Sequence, residues 1–237
     1  MKENSTRLYI ASTAEFADKE LYERAYQRMT TERKQKTDRF RLDRDRKLSV
    51  GAFSLLDYGL EKRGIEDWKR GLWYNENGKP YLADGQGIYF NLSHSGEYVA
   101  CAVSGEEVGC DIEMISGQKM DIARRFFSPS EYELLLSEKT EQKKRELFFR
   151  LWTLKESFIK AVGKGLVMPL DSFSIVFHGD EILVEQTYDK NRYYFREFSA
   201  AEGYCCSLCG LDPEIGRKDK AVCEYVSFLE LFSNRNR

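Results

Sequence analysis

Three carboxylates in two short runs are the residues of this chain best suited to metal chemistry. Two of them, Asp111 and Glu113, lie in the run 108–113, where apolar and polar residues alternate. The alternation predicts a strand with both carboxylates on the same face. Two like charges on one strand face repel each other unless a cation holds them. The run therefore indicates a cation site.

The third carboxylate, Glu156, belongs to an apolar-rich helical pattern over residues 151–160, with Lys160 one turn further on. Three carboxylates with room for phosphate and water are the oxygen ligands that Mg²⁺ prefers. The alternative is that Asp111 and Glu113 lie on an exposed sheet face, while Glu156 and Lys160 form an ordinary i,i+4 helix pair. Each run alone favours this alternative, but both runs with the motifs below favour the metal.

The elements that must position these residues follow the order strand, helices, strands, twice over. The first half is predicted to hold a strand at 7–12, helices at 19–30 and 43–63, a hairpin over 72–82, and strands at 88–92, 98–103 and 108–113. The second half is predicted to hold helices at 121–127, from 129 and over 144–163, and strands at 173–177, 182–186, 193–198, 204–208 and 221–226. This order predicts an α+β fold with two comparable halves, divided into residues 1–114 and 115–237.

Local signals predict how some of these elements begin and end. Thr31 is predicted to cap a short helical segment that carries Arg33 and Lys36. Pro129, at the first position of its helix after Ser128, fits a helix start, and Gly163 fits the end of the long helix. The polar run 93–96 is predicted to be a turn between two strands.

Composition limits the class of protein. The chain has 237 residues, of which 42% are hydrophobic, so it can bury a large core. No apolar run approaches the roughly 20 residues that a membrane span needs, and no signal peptide is visible. Six cysteines in apolar runs then predict reduced thiols in a cytoplasmic protein without membrane contact. Cys206 and Cys209 form a CxxC, which we interpret as part of a strand rather than a zinc site.

Charge is concentrated in one segment. Residues 33–47 include eight basic and three acidic side chains, although the whole chain has a net charge of −2. Such a segment predicts a local anchor for an anion. A nucleic-acid-binding module is the alternative, but the remaining composition opposes it and no nucleic-acid-reading motif is present. We therefore expect no nucleic acid as a partner.

Five motifs in order over roughly residues 78–165 resemble those of the surfactin-type 4′-phosphopantetheinyl transferases. They are Gly78-Lys79-Pro80, Phe90-Asn91-Leu92-Ser93-His94-Ser95, Gly109-Cys110-Asp111-Ile112-Glu113, Arg125-Phe126-Phe127-Ser128-Pro129-Ser130-Glu131 and Trp152-Thr153-Leu154-Lys155-Glu156-Ser157-Phe158-Ile159-Lys160. The resemblance implies two similar α/β halves about a pseudo-twofold axis, with coenzyme A and Mg²⁺ (or Mn²⁺) in the cleft between them.

The implied activity is transfer of phosphopantetheine from coenzyme A to a serine of an acyl or peptidyl carrier protein, with release of adenosine 3′,5′-bisphosphate. The resemblance implies Asp111, Glu113 and Glu156 as metal ligands, and Glu156, Lys160 and Asp111 as catalytic residues. Glu156 would also orient a base or water for the serine proton. The protein is expected to be a monomer. A catalytically silent relative that only binds carrier proteins is the alternative, which the intact acidic set opposes.

The resemblance also assigns residues to coenzyme A. His94 would lie near the 3′-phosphate, which would hold the imidazole charged; the alternative is a turn histidine bonded to its own backbone. The remaining expected contacts to the nucleotide and its phosphates are Arg33, Lys36, Lys79, Ser93, Lys155 and Lys160. Whether Arg46 or Lys47 takes the family's next basic position stays open.

The connector at 115–120 and the residues after it are expected to meet the carrier protein. The resemblance implies a carrier with an acidic helix beside the modified serine. Met120 is predicted to be an exposed apolar contact, with Lys119 and Arg124 steering the carrier by charge. For Phe126 and Phe127 we favour the alternative, in which they form the core face of a helix.

Overall fold

The same order of elements occurs twice along the chain. The computed structural model describes residues 5–65, 71–83, 87–117, 120–220 and 222–233. The first unit comprises β1 (Arg7–Ser12), α1 (Lys19–Gln27), α2 (Thr31–Asp38), α3 (Asp43–Glu61), a hairpin of β2 (Leu72–Tyr74) and β3 (Pro80–Leu82), then β4 (Tyr89–Ser95) and β5 (Tyr98–Ser104). The second comprises β6 (Val108–Met114), α4 (Met120–Phe126), α5 (Pro129–Ser137), α6 (Glu141–Val162), a hairpin of β7 (Ser174–His178) and β8 (Glu181–Glu185), then β9 (Tyr194–Phe198) and β10 (Tyr204–Gly210).

Strand pairing repeats as well as element order. In the first unit β1 pairs with β5 and β5 with β4, all antiparallel. In the second unit β6 pairs with β10 and β10 with β9 in the same manner. The chain then returns to the first unit, where β11 (Cys223–Tyr225) pairs parallel with β1 and α7 (Phe228–Ser233) joins its core. The α+β fold with two similar halves is therefore confirmed.

The repeat bears on where the chain divides. The second unit begins at β6, so the topological division falls between β5 and β6. The sequence-based division at 114/115 lies one strand later and stays a prediction. The topology favours the earlier position, because β6 pairs with β10 of the second unit.

Three hydrophobic clusters hold the molecule together. One lies within the first unit around α3, and a second lies within the second unit around α6. The third fills the space between the two sheets with aliphatic and cysteine side chains, which come from β1 and β5 of one unit and from β6 and β10 of the other. Because the third cluster draws on both units, each unit buries one sheet face only when the other is in place.

Three helix limits can be compared with their sequence signals, and two of them agree. Ser128 caps α5 in a capping box with Glu131, and Gly163 ends α6 with a positive φ of 76°. For α2, however, the side chain of Thr30 accepts the capping hydrogen bond from the Arg33 backbone. The predicted cap at Thr31 is therefore wrong by one residue, since Thr31 already lies inside the helix.

The predicted turn at residues 93–96 is also wrong, because β4 continues through Ser95 and the turn begins at Gly96. His94 therefore lies on a strand. The three alternate residues Asn91, Ser93 and Ser95 point toward β6, and each accepts a hydrogen bond from a β6 backbone N–H. We call this side-chain junction the β4–β6 seam. Its hydrogen bonds give partners to backbone N–H groups on the edge of β6 that does not pair with β10.

The CxxC lies on β10, as interpreted from the sequence. Residues three apart on a strand point to opposite faces. Accordingly, Cys209 packs in the core of the second unit and Cys206 in the core between the sheets. All six cysteines, every one within the described residues, are free thiols. Among the helices of the described residues, none combines the length and apolar character required to pass through a membrane.

Candidate functional site

Asp111 is buried at the β4–β6 seam. Its Oδ1 accepts hydrogen bonds from Lys160 Nζ at 2.6 Å and from Ser93 Oγ at 2.8 Å. Lys160 Nζ also donates to Ser93 Oγ and to the backbone oxygen of Cys110, at 3.1 Å and 3.2 Å. The alternative of an exposed sheet face is therefore wrong for Asp111, whose residue is 3% exposed.

Helix α6 approaches β6 closely enough to bring Lys160 to Asp111. A Cβ added at Gly109 would lie 2.1 Å from the backbone oxygen of Ser157 and 2.4 Å from the backbone nitrogen of Ala161. Any larger residue at this position would push α6 away from the strand. Glycine at 109 therefore sets the spacing on which the Lys160–Asp111 ion pair depends.

The three predicted metal ligands influence one another electrostatically. Burial raises the pKa of Glu156 above its usual value, and the negative charges of Asp111 and Glu113 add to the rise, while Lys160 opposes it. Burial alone would lower the pKa of Lys160, but Asp111 holds it above its usual value. The site thus contains more negative charge than one ammonium neutralises, and it favours a further cation.

The donor set fits a cation that keeps ligands of its own. The buried Oδ2 of Asp111 has no hydrogen-bond partner among the described residues. Glu113 accepts a hydrogen bond from Ser95 Oγ at 2.7 Å. The described residues hold no ready-made group of three acidic, histidine or cysteine side chains close enough to enclose a metal. Mg²⁺ suits such an open arrangement, because it usually takes one or two carboxylates together with water and phosphate oxygens.

A cleft of about 570 Å³ lies on the first unit, and its lining includes Leu92, the neighbour of Ser93 on β4. Its lining includes Arg33 and Lys36 of α2, Arg39 at the C-cap of α2, and Tyr74 of the β2–β3 hairpin. Burial lowers the pKa of Arg33, whose Nε is a buried donor without a partner in the described part of the chain. Arg33 and Lys36 are thus brought together as predicted, in a cleft that offers donors to an anion.

Arg39 is a cleft residue that the sequence reading missed. The signal was present, because positions 33, 36 and 39 are spaced three apart, which continues the basic side of α2 into its C-cap. Whether Arg46 or Lys47 takes the next basic position stays open, because both side chains have partners within the protein. Arg46 Nε donates to the Phe40 backbone oxygen at 3.0 Å, and Lys47 pairs with Asp43 at 3.0 Å.

His94 is exposed on β4, next to the buried Ser93. Desolvation lowers the pKa of His94 from its usual 6.5, and the positive charges of Lys160 and Arg33 act in the same direction. The imidazole is thus influenced electrostatically by Arg33 of the cleft and by Lys160 beside Asp111. Position 94 lies in a strand, so the alternative of a turn histidine is wrong about the turn. Its other part is confirmed, because the imidazole forms a hydrogen bond with the His94 backbone.

Lys79 does not face the cleft, contrary to the sequence-based prediction. Its Nζ donates to Glu107 Oε2 at 2.5 Å and to the backbone oxygens of Val108 and Ala161 at 3.2 Å and 3.1 Å. Burial lowers its pKa and Glu107 opposes the shift. The ammonium therefore connects the hairpin with β6 and α6, and all of its hydrogen-bond capacity is used there.

The prediction that Lys155 meets phosphate is also corrected. Its side chain is fully buried, and Nζ donates to both carboxylate oxygens of Glu131, at 2.7 Å and 2.6 Å, and to the Phe173 backbone oxygen at 2.8 Å. Glu131 in turn accepts from the backbone N–H of Ser128 and of Ile175. Lys155 thus fixes α6 to α5 and β7.

The expected carrier-contact segment is only partly described, since Lys119 lies outside the described residues. Met120 is half-buried against the core of the second unit, so the prediction of an exposed contact is wrong for it. Met114, the apolar residue at the end of β6, is instead exposed, at 42%. Arg124 is exposed as expected, and Phe127 is buried in the core.

Two family models match consecutive stretches of the chain. The model described as "4'-phosphopantetheinyl transferase, N-terminal" matches residues 17–106, and the model described as "4'-phosphopantetheinyl transferase superfamily" matches residues 107–209. Their junction coincides with the topological division between β5 and β6. The two matches therefore follow the two units of the fold.

Individual relatives match over much of the chain. A 4'-phosphopantetheinyl transferase of Bacillus subtilis is 39% identical over 158 residues, which are 66% of this chain and 68% of the relative. The 4'-phosphopantetheinyl transferase Sfp of Bacillus subtilis (strain 168) is 39% identical over 65% of this chain and 68% of its own. The 4'-phosphopantetheinyl transferase gsp of Aneurinibacillus migulanus is 42% identical over 58% of this chain and 56% of its own.

Proposed function

Because this chain belongs to the 4′-phosphopantetheinyl transferase family, we propose that it moves the phosphopantetheine group of coenzyme A to a serine of an apo carrier protein. The observation that carries the proposal is the buried Asp111, which Lys160 and Ser93 hold by one oxygen while the other is unpaired beside Glu156. A site with excess negative charge next to a basic cleft suits a cation and the pyrophosphate of coenzyme A.

The reaction forms one bond and breaks one. The serine oxygen attacks the phosphorus that carries pantetheine, the bond from that phosphorus to the oxygen of adenosine 3′,5′-bisphosphate breaks, and the serine proton leaves to a base. Phosphoryl transfer of this kind depends mainly on positioning and charge neutralisation. Charged residues of β6 and α6 are assigned to these two tasks.

Asp111, Glu113 and Glu156 are the proposed ligands of Mg²⁺, for which Mn²⁺ could substitute. The bound ion would offset the charge that builds on the leaving oxygen. Lys160 holds Asp111 in place and, being positive at the opening of the site, is assigned to a phosphate oxygen. Glu156, whose pKa is raised, is assigned to receive the serine proton directly or through water.

The first unit is proposed to bind the nucleotide. Arg33, Lys36 and Arg39 offer cationic donors in the cleft, and the charges of Arg33 and Lys160 both act on His94. We assign His94 to the 3′-phosphate, because that group lies away from the reacting phosphorus. Neither Lys79 nor Lys155 takes part in this assignment.

Carrier binding is proposed at the surface that follows β6. Met114 is exposed at the end of β6, the strand that carries Asp111 and Glu113, and Arg124 and Arg125 are exposed on α4. An apolar contact with basic neighbours suits an acidic helix of a carrier protein. We further propose a monomeric protein of a reducing compartment such as the cytoplasm, which the six free thiols support.

A mass measurement tests this proposal. The protein is incubated with coenzyme A, Mg²⁺ and a panel of apo acyl and peptidyl carrier proteins, with EDTA in a parallel reaction. We expect at least one carrier to gain the mass of one phosphopantetheine in the presence of Mg²⁺ only. If no carrier gains that mass while a known transferase modifies the same panel, the protein is a silent carrier-binding relative and the proposal is wrong.

A further inference from the structure

A second buried polar atom without a partner lies directly across the sheet from Asp111. Ser207 on β10 is fully buried, and its Oγ has no hydrogen-bond partner among the described residues. The antiparallel register of β6 and β10 places Ser207 opposite Asp111. Two unsatisfied groups, a hydroxyl and a carboxylate oxygen, thus belong to one cross-strand pair.

The two side chains point to the same face of the sheet. Residues directly opposite on antiparallel strands share a face, with Cβ atoms about 4.5–5.5 Å apart. The next pair on the same face, two positions along the register, is Gly109 and Cys209. Gly109 meets the α6 backbone and Cys209 packs in the core of the second unit around α6, so this face is the one that α6 covers. Ser207 therefore lies on the side of the sheet from which Lys160 reaches Asp111.

The neighbours of Ser207 do not satisfy its hydroxyl. On its other side, β9 places Glu197 opposite it, but Arg150 holds both oxygens of that carboxylate, at 2.8 Å and 2.7 Å. The nearby buried serines use their hydroxyls elsewhere: Ser157 donates to the Leu154 backbone oxygen, and Ser93 donates to Asp111. A buried hydroxyl without a partner costs stability that an alanine at the same position would not.

We propose that Ser207 is a positioning residue of the cation site, with its hydroxyl accepting a hydrogen bond from a water molecule bound to the cation while Asp111 Oδ2 ligates the cation. This inference rests on the proposed function. Mg²⁺ keeps several of its waters in proteins, and those waters require acceptors. The spacing of a cross-strand pair leaves room for one bridging water, and such outer contacts orient the ligands of a metal.

For Ser207→Ala we expect stability without a cation and affinity for a cation to change in opposite directions. Without a cation the variant loses only an unsatisfied hydroxyl, so its urea midpoint in EDTA should equal or exceed that of the wild type. With a cation, the variant lacks the hydroxyl that accepts from the cation-bound water, so its affinity for Mn²⁺ should be lower than that of the wild type by about tenfold or more. A merely structural serine would give the opposite pattern, with lower stability in EDTA and unchanged Mn²⁺ affinity.

The experiment titrates Mn²⁺, as a paramagnetic probe, into protein and coenzyme A and follows free Mn²⁺ by electron paramagnetic resonance. Ser157→Ala is the matched control, because it removes a satisfied hydroxyl from the same interface and should leave Mn²⁺ affinity unchanged. Ser207→Thr keeps the hydroxyl and should bind Mn²⁺ better than Ser207→Ala.

The outcomes separate this inference from the proposed function. Folded Ser207→Ala with wild-type Mn²⁺ affinity would overturn the role of Ser207 and leave the proposed function intact. Failure of the wild type itself to bind Mn²⁺ in the presence of coenzyme A would overturn both. If Ser207→Ala does not fold, equal Mn²⁺ affinities of Ser207→Thr and a folded Ser207→Cys, which offers a much weaker acceptor, would contradict the proposal.

Discussion

At the scale of single residues, similar lysines have different tasks. Lys160 lies at the opening of the site on Asp111. The buried ammonium groups of Lys79 and Lys155 instead pair with Glu107 and Glu131 and with backbone oxygens. A motif gives the position of each lysine in the chain but not its partner. The partners, Glu107 and Glu131, lie 28 and 24 residues away, so only the folded chain assigns the ammonium groups.

His94 provides a prediction on pH. In the free protein its pKa lies below the usual 6.5. A 3′-phosphate beside the ring would raise that pKa, so the complex would hold a proton that the free protein lacks. Coenzyme A should therefore bind more tightly as pH falls from the raised pKa of the complex toward the lowered pKa of the free protein, and the gain should level off below it.

The measurement is the Kd of coenzyme A across about pH 5 to 8 for the wild type and His94→Gln. Because the phosphate itself titrates in this range, the informative quantity is the difference between the two proteins with the same ligand. That difference should vanish for 3′-dephospho-coenzyme A. An equal difference with both ligands would show that His94 does not contact the 3′-phosphate.

At the scale of elements, α6 carries Glu156 and Lys160, and the buried Glu131–Lys155 pair fixes its position. We expect Glu131→Gln to lower the free energy of unfolding by about 3–5 kcal/mol, because it leaves a buried ammonium without its counter-charge. The control is Glu197→Gln. Its partner Arg150 is 44% exposed, so the loss there should be about 1 kcal/mol or less.

Urea unfolding of the two variants measures this difference. Equal losses for Glu131→Gln and Glu197→Gln would mean that the buried pair does not hold α6. At urea concentrations where Glu131→Gln is still folded, its transfer activity should also fall, since Lys160 would lose its fixed distance to Asp111.

The elements themselves were largely predictable from the sequence, because their signals are local. Ser128-Pro129 and Gly163 mark the limits of α5 and α6, and alternation marks β6. Where prediction failed, a tertiary contact overrode the local signal: the polar run through His94 continues as strand because its serines bind the β6 backbone. Ser207 gave no sequence signal, since its significance depends on the register of β10 with β6.

At the scale of the whole molecule, the site exists only where the two units meet. Asp111 and Lys160 come from the second unit, and Ser93 and the basic cleft come from the first. The shared core between the sheets fixes this meeting. The carrier protein would approach from the side of β6 and α4, both of which belong to the second unit.

Carrier docking can be tested by reversing a charge on α4. Arg124→Glu should raise the KM for the carrier several-fold, more so at low salt, and leave the KM for coenzyme A nearly unchanged. Lys218→Glu is the control, because Lys218 is 69% exposed and pairs with Asp180 in another part of the second unit. Carrier kinetics that ignore Arg124→Glu across a salt series would place the docking surface elsewhere.

In the proposed function, Asp111 is the carboxylate through which this molecule organises the cation and the transfer, and one rate measurement tests that role. Asp111→Asn keeps the shape of the side chain and an oxygen for Lys160 and Ser93, but it removes the negative charge. With saturating coenzyme A, carrier and Mg²⁺, we predict that the initial rate of holo-carrier formation falls on the order of a thousandfold in a protein with unchanged circular dichroism. A folded Asp111→Asn protein that works at close to the wild-type rate would contradict the account.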